Sequence, residues 1–105
     1  MKARGRPKKY RIVEKGPKIS QFSPRGRPGR PDEAELSLDE FEALRLADWA
    51  GKTQKEAAKA MHISQQTFSR IIKRARKSVT EALVSGKIIR IQGGNYVLSS
   101  GIEQA

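Results

Sequence analysis

Cysteine is absent from the 105 residues, and histidine occurs once. Disulfides, thiolate zinc sites and cysteine nucleophiles are therefore excluded. With a single imidazole and few clustered carboxylates, no metal, no cofactor and no general acid–base pair are expected. The chain also lacks any apolar run near the roughly 18 residues that span a bilayer, and no secretory h-region follows the basic N-terminus. A soluble, cytoplasmic protein without a membrane partner is the expectation. The length suits one small domain with appendages rather than two full cores.

What the chain has in excess is positive charge, unevenly spread. The net charge is +11. Residues 1–31 carry 11 basic side chains and 1 acidic, residues 32–50 carry 1 and 7, and residues 51–105 carry 10 and 3. Basic segments on either side of an acidic helix imply a polyanionic partner.

The stretch Thr53–Lys77 gives that partner a form. Thr53 and Glu56 make a capping box, starting a helix whose apolar residues are the small Ala57 and Ala58 and then Met61. Ser64 caps a second helix, with Ile63 and Phe68 spaced as its hydrophobic staple. Only His62, Ile63 and Ser64 remain to turn the chain, which is the spacing of a helix-turn-helix. The second helix is expected to run to about Ser85 and stop at Gly86. At about 100° per residue, Phe68, Ile71, Ile72, Ala75, Val79, Ala82 and Leu83 share one side. Gln66, Arg70, Lys73 and Lys77 lie nearly opposite, with Gln65 and Ser69 on a flank. Amides and guanidiniums can make bidentate bonds to base edges, while lysines suit phosphates. The expected contacts to double-stranded DNA are Gln65, Gln66, Ser69, Arg70, Lys73, Arg74 and Lys77. The plainer alternative is an amphipathic helix pair with a solvated basic face. His62 stands where such turns usually have glycine, which points to a residue at positive φ; a ligand or pH-sensing role is the rival reading.

The flanks are less regular. Arg4-Gly5-Arg6-Pro7 and Arg25-Gly26-Arg27-Pro28 are near-repeats resembling the AT-hook core. Arg4, Arg6, Arg25 and Arg27 could enter a narrow minor groove, or the segment could be a basic tether touching phosphates. Between the repeats, Tyr10–Val13 and Ile19–Phe22 read either as short edge strands or as part of a disordered arm. Ser37 and Glu40 box the start of a helix reaching Ala50, with Gly51 as its stop. Trp49 is placed in the core or at its edge rather than as a base-stacking platform. Lys87–Gln92 and Tyr96–Leu98 alternate like a hairpin around Gly93-Gly94-Asn95. Because isolated hairpins are marginal, this one needs either the N-terminal β-prone runs or a second copy of the chain.

The expected organisation is a basic arm over 1–31, a helix-turn-helix domain over 32–86 and a C-terminal hairpin and tail over 87–105. The fold class expected is mainly α, a tri-helical core with short β segments at both ends. Leu38–Asp48, the helix-turn-helix and Gly86–Tyr96, in that order, resemble the small proteins grouped as domain of unknown function 134, or uncharacterised protein family 0251. The resemblance implies a winged or tri-helical DNA-binding fold akin to the promoter-reading region of sigma factors. Many members have a cysteine just after the first β-prone segment; here Glu14-Lys15 follow Val13, which removes any thiol-based redox or metal role. The function expected is sequence-specific transcriptional regulation, with no effector legible and a homodimer as the usual arrangement on two half-sites. An architectural protein coating A·T-rich DNA is the alternative. DNA-rearranging enzymes also pair this motif with a Gly-Arg-Pro arm, but 105 residues leave no room for their catalytic domain, so an enzyme is not expected.

Overall fold

Three hydroxyl side chains set where the helices begin. In the computed structural model, which describes residues 10–26, 29 and 31–99, Ser37 opens α1 (Leu38–Leu44). Its hydroxyl accepts from the Glu40 amide, and the Glu40 carboxylate accepts from the Ser37 amide. Thr53 and Glu56 repeat the arrangement at α2 (Gln54–Ala60). Each box satisfies backbone donors that a helix start leaves without partners. Ser64 caps α3 (Gln65–Ser85) through the Thr67 amide, and Gly86 closes it at φ 65°. That left-handed position penalises any residue with a Cβ.

α1 does not run on regularly to Ala50. Arg45–Trp49 forms a π-helical turn in which the Ala50 amide donates to the Arg45 carbonyl at 2.8 Å. The wider turn swings Trp49 out, leaving it 80% exposed rather than in the core.

The expectation of a mainly α chain with a tri-helical core is overturned, because five strands in two sheets make this a mixed α/β fold. β1 (Arg11–Val13) pairs in parallel with β5 (Tyr96–Leu98), Ile12 standing opposite Val97. β4 (Ile88–Ile91) is the centre of the other sheet, antiparallel to β2 (Gln21–Phe22) and parallel to β3 (Glu33–Leu36). The hairpin expected over Lys87–Leu98 therefore does not form; its two strands go to different sheets. Gly93-Gly94-Asn95 docks on the start of α1 instead. The Leu38 amide donates to the Gly93 carbonyl at 3.0 Å, and the Arg11 amide to the Asn95 carbonyl at 3.1 Å. A Cβ on Gly94 would lie 2.5 Å from an Asp39 carboxylate oxygen, so the close approach requires glycine.

β3 lies inside the acidic stretch that the sequence pattern leaves without a strand. Period-two alternation buries Leu36 and turns Glu33 and Glu35 outward, where Glu33 pairs with Arg90 and Glu35 accepts from Gln92.

Two hydrophobic clusters explain the length of α3. Phe68, Ile71 and Ile72 in its first half pack with Ala57, Ala58 and Met61 of the preceding helix and turn, and with Ala43 and Leu46. Ala75 and Val79 in its second half pack with Val13, Leu36, Leu38, Ile89 and Ile91 of the strands and α1. The strands thus supply the surface that the second half of the helix needs. Leu83, expected on the same apolar side, is 75% exposed, whereas the adjacent Ala82 is buried.

Candidate nucleic-acid interface

The turn between α2 and α3 is short and closed by two backbone hydrogen bonds. The His62 amide donates to Lys59 and the Ile63 amide to Ala58, at 3.1 and 3.0 Å. His62 adopts φ 59°, the only non-glycine positive φ among the described residues. This residue lets the chain reverse in so few positions that Ser64 can start the next helix at once. Ala57 and Ala58, both buried, keep the helices close enough for Phe68 to fill the gap.

Anchored on that side, α3 presents the opposite side to solvent. Gln65, Gln66, Ser69, Arg70, Lys73 and Lys77 are all exposed. None of Arg70, Lys73 and Lys77 has an ion-pair partner among the described residues. The structure therefore brings six of the seven expected helix residues onto one open polar face. Arg74 differs: its Nε lies 3.5 Å from the Glu40 carboxylate of α1. Arg25 is exposed in the turn after β2, on another segment, while Arg4, Arg6 and Arg27 lie outside the described residues.

The acidic face of α1 is internally neutralised. Glu42 is fully buried; its carboxylate accepts from the Glu14 amide at 2.8 Å and from both Nε and Nη2 of Arg45 at 2.7 and 2.9 Å. Arg45 also reaches Glu14 at 3.0 Å. These bonds, Glu42 foremost, raise the Arg45 pKa above its ordinary value. Asp39 is buried, accepts from the Ser37 hydroxyl and lies 3.7 Å from Arg11. Asp48 is clamped by Arg76 of α3 through two bonds of 3.0 and 2.8 Å, which hold its carboxyl below the usual range. The sequence pattern carries no sign of the Glu42–Arg45–Glu14 network beyond the opposite charges at i and i+3, a spacing common on solvated faces.

β1 is tied to the same turn, since the Ile12 amide donates to the Met61 carbonyl at 3.1 Å. β1 is thereby fixed beside the turn that starts α3. Among the described residues, no helix is long and apolar enough to cross a membrane.

A family model described as "Protein of unknown function DUF134" matches residues 1–99. A "UPF0251 protein" of Caldicellulosiruptor bescii is 50% identical over 95 residues, covering 90% of this chain and 66% of that one. One from Methanococcus maripaludis is 47% identical over 94 residues, covering 89% and 72%. Another, from a Thermoanaerobacter species, is 48% identical over 92 residues, covering 87% and 81%. The chain spans about two thirds of the length of the first of these relatives. No solved structure matches it.

Proposed function

We propose that this chain, which belongs to the DUF134 family, is a sequence-specific DNA-binding regulator of transcription that lays α3 in the major groove. The observation that carries the reading is the open face of α3. A helix anchored by Phe68, Ile71 and Ile72 leaves two amides, a hydroxyl and three cations exposed along one side. Gln65, Gln66, Ser69 and Arg70 occupy its first two turns, the part of a recognition helix that meets base edges. Arg70 and the glutamines have the bidentate geometry that distinguishes guanine and adenine. Lys73 and Lys77, farther along a helix that diverges from the groove, suit phosphates. Arg74 lies within ion-pair distance of Glu40 on α1 and is a weaker candidate for touching DNA directly.

In this reading the connection between β4 and β5 is not a wing for DNA, because Gly93 and Asn95 are engaged with α1 and β1. A homodimer on two half-sites is part of the proposal, though β4 and β5 find their neighbouring strands, β2 and β3 for one and β1 for the other, within one chain. Selection of binding sites from random DNA, followed by affinities for selected and random duplexes at one stated salt, tests the function. A ratio of about 10³ or more is expected of a regulator. A ratio near one would replace it with architectural coating of DNA.

A further inference from the structure

Between α1 and the loop joining β1 to β2 lies a cleft of about 640 Å³, inside the range of roughly 300–1,000 Å³ typical of small-molecule sites. Lys15 and Lys18 stand on the loop side; Phe41, Leu44 and the Trp49 indole line the helical side. The π-helical turn that ends the first helix closes at Trp49, on the edge of the cleft. An indole left 80% exposed at the edge of an apolar depression is a large surface without a partner.

The charges around the cleft are matched with two exceptions. Arg45 is held by Glu42 and Glu14, and Asp48 by Arg76. Lys15 and Lys18 have no ion-pair partner among the described residues. An apolar wall opposite a loop that carries two lysines without ion-pair partners among the described residues complements one kind of molecule. We propose that the cleft binds a small amphipathic anion, its apolar body on Trp49, Phe41 and Leu44 and its single anionic head at Lys15 and Lys18. This site is separate from the open face of α3 and does not depend on whether that face reads DNA.

Trp49 is the chain's single tryptophan, so its fluorescence reports on the cleft directly. The full chain is titrated with three probes sharing one alkyl body: octanoate, 1-octanol and octyltrimethylammonium. A saturable change in Trp49 emission is expected, with octanoate about three- to tenfold tighter than 1-octanol, as two exposed charge pairs allow. Octyltrimethylammonium is expected to bind weakest. In a Lys15→Gln/Lys18→Gln variant the preference for octanoate disappears while 1-octanol binding is kept. Neither lysine belongs to a core cluster, so the variant keeps its fold, which circular dichroism checks. No saturable response to any probe, equal binding of octanoate and 1-octanol, or a preference surviving in the double variant would each overturn the proposal.

Discussion

His62 and Arg70 place the two demands on this motif, a sharp turn and an outward side chain, in single residues. Histidine tolerates the left-handed region better than most residues but still bears a Cβ there. Because its side chain is exposed, His62→Gly removes that strain without opening a cavity, and its larger unfolded-state entropy offsets the gain. The expected change is within about 0.5 kcal/mol. His62→Val, β-branched at φ 59°, is expected to cost about 1–2 kcal/mol. Urea midpoints measure both, and equal loss in the two variants would mean that the imidazole itself holds the turn. Arg70 is fixed at the root by Ile71 and Ile72 and open at the tip. Arg70→Ala should cost about 1–3 kcal/mol on the selected site and relax one base position. Lys77→Ala should weaken selected and random DNA alike or leave both unchanged, and neither substitution should lower thermal stability appreciably. Equal weakening of both duplexes by Arg70→Ala would make Arg70 a phosphate-binding residue.

Elements were legible in the sequence where their signals are local. Caps at Ser37, Thr53 and Ser64, the stop at Gly86 and the turn at His62 each depend on residues within four positions, and each stands where the pattern predicts. Pairing was not legible, because it joins residues far apart in the chain. Nothing near Glu33-Ala-Glu-Leu36 announces a strand; β4, more than fifty residues later, makes it one. The parallel partner of β5 is likewise set by Asn95 bonding to Arg11 rather than by the glycines of the turn. The exposed face of α3 could be read from periodicity alone, whereas the cleft beside Trp49 could not, since a π turn has no sequence signature. Glu42 shows how such long-range ties matter. Its buried carboxylate joins α1 to the end of β1 through the Glu14 amide while neutralising Arg45. Glu42→Ala leaves the Glu14 amide and the Arg45 Nε without their acceptor, while Arg45 keeps its pair with Glu14, and is expected to cost about 1–3 kcal/mol. Glu42→Gln retains an acceptor oxygen and should cost less. Chemical denaturation ranks the two; a neutral Glu42→Ala would show that the network contributes nothing net.

At the scale of the whole molecule, β1 and the turn that starts α3 are brought together, and residues 1–9 precede β1 in the chain. The hydrogen bond from Ile12 to Met61 ties β1 to that turn. Nine residues reach about 30 Å when extended, enough to leave a major groove and enter the adjoining minor groove. They carry Lys2, Arg4, Arg6, Lys8 and Lys9. If those cations meet phosphates, deleting residues 1–9 lowers the slope of log K against log salt by about 0.9 for each phosphate no longer neutralised. Tyr10, where the shortened chain would begin, is exposed and belongs to neither core cluster, so the deletion should leave the folded domain intact. Minor-groove insertion makes a second demand, because arginines gain most where A·T tracts narrow the groove. The full chain should then prefer selected sites flanked by A·T pairs, and the deletion should abolish that preference as it lowers the slope. An unchanged slope would separate the segment from DNA altogether. A reduced slope with no flank preference would leave it as a tether that touches phosphates only.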